Sequence, residues 1–327
     1  MVGAQLKLEQ LYKLIGPDMK SVDAVIRARL HSDVVLVRQV AEYIIQSGGK
    51  RLRPALVLLS AGALGYRGEH HHHLAAVIEF IHTATLLHDD VVDESSLRRG
   101  RETANALFGN AASVLVGDFL YSRAFQMMVE VGDMRVMQVL SDATNIIAEG
   151  EVLQLMNCHD ADVDESRYLQ VIRFKTAKLF EAAARLGAII SGGSADVEQA
   201  LADYGMHLGT AFQLIDDVLD YSGAEAETGK HLGDDLAEGK PTLPLIYVMQ
   251  HGTPEQAACV RSAIEELGRD GFPAVLAAIR ATGALEHTKK QAAIEAELAK
   301  KSIEDVLPAY TYKESLLELS AFAVARS

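Results

Sequence analysis

The feature that most constrains the fold is a long stretch without proline, which extends from Pro54 to Pro241. Proline breaks the interior of a helix, so this stretch can form a series of long helices. Its apolar residues recur at steps of three and four, as at Leu120, Ala124 and Met127. That spacing is typical of helices and not of strands. We therefore predict an all-α fold, a large bundle of roughly ten or more helices around a central cavity.

No linker rich in proline or serine divides the chain, so we predict a single domain over residues 1–327. Its hydrophobic content of 49% and charged content of 23% are those of a globular protein with an ample core. The predicted breaks between helices fall near Gly65–His73, Ser95–Glu102, Asp160–Asp164, Gly192–Asp196, Gly223–Gly239 and Gly252–Glu255.

Charge and cysteine usage exclude several classes of protein. The formal net charge of -14 argues against a nucleic-acid-binding surface, which requires basic patches. Cys158 and Cys259 stand far apart, which disfavours a disulfide framework or a zinc site and indicates a reducing cytoplasm. No apolar run reaches the ~20 residues of a membrane span, and the N-terminal residues lack the apolar core of a signal peptide.

Two copies of the pattern Asp-Asp-x-x-Asp stand in apolar, helix-like surroundings, one beginning at Asp89 and one at Asp216. Residues four apart share a helical face, which pairs Asp89 with Asp93 and Asp216 with Asp220. Carboxylates beside a core are unfavourable unless cations compensate them. Mg²⁺ prefers oxygen ligands and usually binds together with substrate phosphates. The motifs therefore predict a Mg²⁺–diphosphate site between two facing helices.

Each motif has a polar residue upstream on the same face. His82 lies seven residues before Asp89, and Gln213 lies three residues before Asp216. A single motif of this kind is as readily explained by a solvated helix end as by a functional site. Two copies with the same arrangement favour a functional site.

Two clusters of basic residues predict a second site for a diphosphate. The first consists of Lys50, Arg51 and Arg53, and the second consists of Arg98, Arg99 and Arg101. Guanidinium groups bind phosphate oxygens bidentately, and lysine adds a point charge. Further candidates are Lys175, Lys178, Lys230 and Lys240, although a single lysine is more often a solvated surface charge. The phosphate-binding loop of nucleotide-binding proteins is absent, which makes nucleotide phosphates poor candidates.

Four adjacent histidines occupy positions 70–73. Such a run can bind adventitious metal, but we interpret it as a solvated turn.

The chain resembles the trans-type polyprenyl diphosphate synthase family, and within it the bacterial enzymes with an octaprenyl product. The resemblance covers nearly the whole chain. Its most specific stretches are Gly49–Pro54, Leu86–Arg99, Phe108–Asp118, Ala148–Met156, Gly209–Tyr221 and Gly233–Pro244.

This resemblance implies an isoprenoid-synthase-like fold and a prenyltransferase. The reaction would be a sequential head-to-tail condensation of isopentenyl diphosphate onto an allylic diphosphate such as farnesyl diphosphate. It would depend on Mg²⁺, with three ions when the allylic diphosphate is bound. The product would be about C40, octaprenyl diphosphate, for the side chain of a quinone such as ubiquinone. A cytoplasmic homodimer with transient membrane contact for product release is also implied.

The resemblance also assigns roles to residues. It implies that Lys50, Arg53, His82 and Arg99 bind the diphosphate of isopentenyl diphosphate. It makes Asp89, Asp93, Asp216 and Asp220 the metal ligands, with Asp217 beside them and Arg98 on the allylic diphosphate. The positions expected near the allylic substrate are Lys175, Thr176, Gln213, Lys230 and Lys240. Carbonyl oxygens near Thr176 and the amide of Gln213 would stabilise the allylic cation, and the released diphosphate would act as the base.

Product length is expected to depend on the helix upstream of Asp89. Ala84 and Thr85 are small, whereas short-chain relatives tend to carry bulky aromatic residues at that level. A tail could then pass towards Ile81, which favours about C40, with a nonaprenyl or shorter product as the alternative. Candidates for the floor of the tunnel are Phe119, Phe125, Met127 and Met128.

Two other functions remain open from the sequence. A terpene cyclase is also an all-α Mg²⁺–diphosphate enzyme, but cyclases usually replace the second aspartate motif and need no second diphosphate site. A non-catalytic subunit of a heteromeric synthase is the other alternative, but such subunits tend to lose aspartates that are all present here.

Overall fold

The computed structural model describes residues 9–46, 48–222, 232–266, 271–308 and 311–325. Lys230, a predicted substrate-binding residue, lies outside these residues. Nearly all secondary structure in the described parts is α-helical, which confirms the predicted all-α class.

The first half of the chain forms α1 (Gly16–Arg29), α2 (Val35–Gln46), α3 (Leu52–Ala63), α4 (His70–Val92), α5 (Ala104–Phe108), α6 (Asn110–Val131) and α7 (Met134–Asn157). A small hairpin joins α4 to α5. Its strands are β1 (Leu97–Arg98) and β2 (Arg101–Glu102), which pair antiparallel.

The second half forms α8 (Glu165–Ile172), a π-helical turn (Arg173–Ala177), α9 (Lys178–Ile190), α10 (Ala195–Ser222), α11 (Asp234–Ala237), α12 (Leu243–His251), α13 (Pro254–Glu265), α14 (Phe272–Thr282), α15 (Ala284–Glu304) and α16 (Thr311–Val324).

Two long helices organise the bundle around the aspartate motifs. α4 packs against α1, α3 and α6, and α10 packs against α9 and α15. Both motifs lie at the C-terminal ends of their helices, since α4 ends at Val92 and α10 ends at Ser222. A helix C-terminus carries partial negative charge, so both ends favour bound cations.

The predicted breaks after Gly65 and around 95–102, 160–164 and 192–194 are confirmed. The interpretation of the histidine run as a turn is wrong, because His70–His73 form the first turn of α4. A break missed by the sequence reasoning separates α6 from α7, where Gly132 adopts a left-handed conformation with φ of 73°.

The π-helical turn joins α8 to α9 at Lys175 and Thr176. Glycines on two other helices allow a close approach to it. A Cβ atom at Gly150 of α7 would lie 2.7 Å from the backbone nitrogen of Lys175. One at Gly209 of α10 would lie 2.6 Å from the Cα of Ala177. The turn is thus held between two backbones, and π-helical turns of this kind are frequent at functional sites.

Candidate active site

The first aspartate motif faces two lysines from distant parts of the chain. Asp89 lies 3.7 Å from the Nζ of Lys175, and Asp93 accepts a hydrogen bond of 2.9 Å from the Nζ of Lys240. The sequence predicted all four residues as site residues, and the structure brings them together.

Both lysines have a second acidic partner that the sequence reasoning missed. Lys175 lies 2.5 Å from Glu151, and Lys240 forms an ion pair with Glu238. Burial alone lowers the pKa of each lysine, but the adjacent carboxylates raise it by more, so both stay charged. Burial in turn raises the pKa of Glu151, against the opposing effect of Lys175.

In the second motif, Asp217 is buried at the centre of a hydrogen-bond chain. Tyr168 donates its hydroxyl to Asp217 at 2.5 Å, and the Gln213 amide donates to it at 2.8 Å. The Oε1 of Gln213 accepts from the Thr176 hydroxyl at 3.0 Å. These hydrogen bonds therefore fix the Gln213 amide, on α10, against Thr176 of the π-helical turn. Burial, with the nearby charge of Asp235, raises the pKa of Asp217.

The end of the second motif is tied to the short helix α11. The backbone N–H of Asp235 donates to the Asp220 carboxylate at 3.3 Å, and that of Gly233 donates to the Asp220 carbonyl at 2.9 Å. These bonds bring Asp235, which the sequence reasoning also missed, up to the site.

A cavity of about 180 Å³ lies where these groups meet. Its polar wall includes Asp89, Asp93, Arg98, Lys175, Thr176, Gln213, Asp217, Asp235 and Lys240. Asp216 and Asp220 are not part of this wall, and the charge of Asp216 acts on Arg53 in the adjacent basic cluster. The acidic donors are all oxygens, so the site suits a hard cation such as Mg²⁺ better than a transition metal.

Arg98 is held at the cavity by Asp90. Its Nε and Nη2 atoms lie 2.8 and 2.7 Å from one oxygen of the buried Asp90 carboxylate. Burial raises the pKa of Asp90, and the charge of Arg98 opposes that rise. The middle aspartate of the first motif thus positions an arginine, which its spacing alone did not indicate.

The basic cluster is built around Arg53 on α3. Its guanidinium lies 4.4 Å from the centre of the Phe180 ring, and its Nη1 lies 3.2 Å from the Nε2 of His82. Arginine can only donate, so Nε2 of His82 accepts and its proton must lie on Nδ1. Burial and the charges of Arg53 and Arg99 lower the pKa of His82, which keeps the ring neutral.

Arg99 reaches this cluster through a glycine. Its guanidinium lies where a Cβ atom at Gly49 would be, 2.6 Å from the nearest nitrogen. Burial lowers the pKa of Arg99, and Glu79 opposes this effect. Arg51 is turned away, towards Asp23 and Glu79, and Lys50 places its Nζ 5.2 Å from the Phe322 ring centre.

A second, larger cavity of about 1020 Å³ adjoins the first. Asp89, Asp93 and Gln154 line both cavities. The larger cavity is also lined by Thr85 and Phe125. Both were predicted to influence product length. Ala84 and Ile81 are fully buried and are not among its lining residues.

Several apolar side chains on the rim of the larger cavity are exposed. Val152 and Leu155 of α7 line it and are 57% and 63% exposed. Leu115 and Val129 of α6 are also exposed, at 66% and 64%. We call the exposed apolar surface of Leu115, Val129, Val152 and Leu155 the α6–α7 face.

Residues 34–277 match the model of the polyprenyl synthetase family. The octaprenyl diphosphate synthase of Escherichia coli (strain K12) is 55% identical over 322 residues, which are 98% of this chain and 99% of that protein. An all-trans-nonaprenyl-diphosphate synthase (geranyl-diphosphate specific) of Rhodobacter capsulatus is 45% identical and covers 95% of this chain and 96% of its own length. The crystal structure of a polyprenyl synthase from Caulobacter crescentus CB15, complexed with calcium and isoprenyl diphosphate, superposes with a TM-score of 0.94 at 46% identity over 97% of both chains.

Proposed function

Since this chain belongs to the polyprenyl synthetase family and is a long-chain prenyltransferase, we propose that it condenses isopentenyl diphosphate head to tail onto an allylic diphosphate such as farnesyl diphosphate. The proposed product is about C40, octaprenyl diphosphate, destined for a quinone side chain such as that of ubiquinone. We propose that residues 1–327 act as one catalytic domain, which the 97% coverage by the Caulobacter structure supports.

The observation that carries this proposal is the meeting of acidic and basic groups around the smaller cavity. Asp89 of α4 and Asp93, the residue just after that helix, face Asp217 of α10 there, with Lys175 and Lys240 beside them. Such a mixture suits a diphosphate held by metal ions on one side and by ammonium groups on the other. The Caulobacter relative, whose crystals contain calcium and isoprenyl diphosphate, has the same fold.

The metal ligands would be Asp89, Asp93, Asp216 and Asp220, and polyprenyl synthetases are generally Mg²⁺-dependent. Bound Mg²⁺, proposed as three ions, would supply Lewis-acid stabilisation of the leaving diphosphate. Lys175, Lys240 and Arg98 would bind the same diphosphate and stabilise its growing charge.

Thr176 and Gln213 would face the allylic carbon once its C–O bond has broken. The Gln213 amide is fixed by its bonds to Thr176 and Asp217, so it could stabilise the cation without reorienting. The double bond of isopentenyl diphosphate would then attack this cation, which forms the new carbon–carbon bond and leaves a cation on the former isopentenyl unit. The released diphosphate would take a proton from that second cation, and its loss forms the double bond of the new allylic product.

The basic cluster would bind isopentenyl diphosphate. Arg53 and His82 are largely buried, and Arg99 lies beside them nearer the surface. The net charge of these three side chains is positive even with Glu79 beside them. Lys50 would join them on binding. A second anion-binding site of this kind is what distinguishes a condensing enzyme from a terpene cyclase.

The larger cavity would hold the growing tail. It begins at Asp89 and Asp93 and is lined by Thr85 and Phe125, so a tail could extend from the diphosphate site directly into it. Its size supports a long product, and the 55% identity to an octaprenyl diphosphate synthase supports about C40 over a nonaprenyl product.

We further propose a cytoplasmic homodimer that pairs through the α6–α7 face. Leu115 and Val129 are exposed apolar residues, and a second copy would also cover the open rim of the larger cavity at Val152 and Leu155. Both cysteines are free thiols, which suits a reducing compartment. None of the helices in the described parts of the chain combines the length and the apolar content of a membrane span. Because the proposed product is a lipid, we also propose transient membrane contact for its release.

The proposal is tested with purified protein, Mg²⁺, farnesyl diphosphate and labelled isopentenyl diphosphate, with the products identified by mass spectrometry. We expect a C40 polyprenyl diphosphate that disappears when a chelator removes Mg²⁺. A hydrocarbon formed from farnesyl diphosphate alone would identify a terpene cyclase. Activity that appears only on adding a second, different chain would identify a subunit of a heteromeric synthase.

A matched pair of variants separates the metal ligands from their neighbours. Asp89→Asn removes a carboxylate from the diphosphate cavity, and we expect turnover to fall by about a hundredfold or more. Asp142→Asn changes a carboxylate that the structure places on α7, where it accepts a hydrogen bond from Gln138, and we expect turnover to be unchanged.

A further inference from the structure

The histidine run at the start of α4 forms a cluster that the proposed prenyl transfer does not use. Asp18, in the first turn of α1, accepts a hydrogen bond at 3.0 Å from the Nε2 of His72, and the Nε2 of His71 lies 3.7 Å from the same oxygen. Among the His, Cys, Asp and Glu side chains of the described residues, these three form the one group of three or more whose possible metal-ligand atoms all lie within 4.8 Å of one another.

We propose that Asp18, His71 and His72 form a binding site for a divalent transition metal ion such as Zn²⁺, which joins the first turn of α1 to the first turn of α4. Two imidazoles and one carboxylate are a donor set that suits zinc and its neighbours, and not Mg²⁺. An open fourth position would be taken by water.

The geometry suits a tetrahedral ion. Ligand atoms about 2.1 Å from zinc lie ~3.4 Å apart in a tetrahedron. The separations of 3.0 and 3.7 Å between the histidine nitrogens and the Asp18 oxygen fall on either side of that value. A small movement of either ring would equalise them.

The two rings are held in place by packing. His71 and His72 lie with ring centres 3.9 Å apart, and Tyr66 packs edge-on against His71 at 5.3 Å. The side chains of His71 and His72 are only 12% and 17% exposed. The Nδ1 of His71 is buried and has no hydrogen-bond partner. Packing against Tyr66 and His72, and not a hydrogen bond at Nδ1, therefore sets the orientation of the His71 ring.

The helix dipoles do not favour a cation at this cluster. Both α1 and α4 point their N-terminal ends, which carry partial positive charge, towards these side chains. A cation must therefore be held by direct bonds to ligands, which makes the site sensitive to the loss of any one of them. An ion bound there would tie α1 to the helix that carries Asp89 and Asp93.

The test measures zinc binding to the full chain, purified without a histidine tag and with Mg²⁺ in large excess to occupy the aspartate motifs. Equilibrium dialysis and elemental analysis compare the wild type with His71→Gln/His72→Gln and with the matched control His70→Gln/His73→Gln. We expect the wild type and the control to bind one more zinc ion per chain than the His71/His72 variant. Zinc should also raise the Tm of the wild type by roughly 3 °C or more, and that of the His71/His72 variant by much less.

Asp18→Asn keeps both imidazoles and removes only the carboxylate. We expect it to weaken zinc binding at least ~10-fold, since even indirect partners of metal ligands are worth that much. Equal zinc content in the wild type and the His71/His72 variant would overturn the proposal. So would an equal loss of zinc in the control, because the run would then bind metal without a defined site. Prenyl transfer is assayed separately and does not enter either outcome.

Discussion

At the scale of single residues, His82 fixes the position of the Arg53 guanidinium. His82→Leu removes the acceptor and leaves a buried charge without its partner. A hydrogen bond to a charged group is worth ~1.5–3 kcal/mol, so KM for isopentenyl diphosphate should rise about 10-fold or more. Steady-state kinetics with each substrate varied in turn checks this.

His82→Gln is the matched control, because its amide oxygen can still accept from Arg53. We expect it to recover much of the affinity that the leucine variant loses. A similar rise in KM for both substrates would show instead that His82 supports the whole site and not the basic cluster alone.

Thr85 is the residue on α4 at which a bulky side chain would meet the growing tail. It lines the larger cavity, whereas Ala84 is fully buried, so substitution at Ala84 would also disturb the core. Thr85→Phe should shorten the product by one or more isoprene units, because a helical turn spans ~5.4 Å of the cavity wall. Mass spectrometry of the products measures the change.

Thr85→Ser serves as the control for that experiment, since it keeps the hydroxyl that donates to the His82 carbonyl at 2.7 Å. Its product should keep the wild-type length. If the phenylalanine variant also makes the full-length product, the tail takes a different path.

At the scale of secondary-structure elements, the segment after α11 depends on a glycine. Gly239 has a φ of +70°, and a Cβ atom there would lie 2.1 Å from the His159 imidazole. The backbone N–H of His159 also donates to the Gly239 carbonyl at 2.8 Å. This contact positions the next residue, Lys240, against Asp93.

Gly192 provides a matched comparison, with a φ of +69° and open space around it. Gly192→Ala should lower the free energy of unfolding by about 1–2 kcal/mol through backbone strain alone. Gly239→Ala should lower it by about 2–5 kcal/mol, because the clash with His159 adds to the same strain. Urea unfolding measures both.

Turnover separates the two variants further. The Gly239 variant should lose activity because Lys240 moves, while the Gly192 variant should keep it. Equal losses of stability in the two variants would mean that His159 moves aside without cost.

The sequence predicted the elements better than the contacts between them. Apolar spacing and the absence of proline predicted the helices, and the four-residue spacing placed Asp89 with Asp93. The pairing of Lys175 with Glu151 and of Tyr168 with Asp217 depends on which helices become neighbours, which no local spacing encodes. The π-helical turn also left no periodic signal, because it spans only Arg173–Ala177.

The histidine run shows the opposite error. The four adjacent histidines suggested a turn, but they belong to the helix that the apolar residues after them form, and that helix begins at His70. The packing of α4 against α1 and α3 outweighs the weak helix propensity of histidine there.

At the scale of the whole molecule, the α6–α7 face predicts the oligomeric state. Leu115→Glu/Val129→Glu would bury two charges from each copy in the proposed dimer interface, at a cost on the order of 3 kcal/mol or more. Analytical ultracentrifugation should then show a Kd for dimerisation about a hundredfold higher or more.

Ile294→Glu is the control, since Ile294 is an exposed apolar residue on α15, at 45% exposure, outside that face. It should leave the dimer intact. A dimer that survives the Leu115/Val129 substitutions would place the interface elsewhere.

The two cavities share a wall at Asp89 and Asp93, and this has a consequence for processivity. Every added isoprene unit would place more hydrocarbon in the larger cavity, at ~0.8 kcal/mol for each buried methylene. Intermediates would therefore dissociate more slowly as they lengthen, until the space is filled and further growth has nowhere to go. Chain termination would then be a matter of capacity and not of chemistry, and short intermediates should not accumulate in solution during a single turnover of the primer.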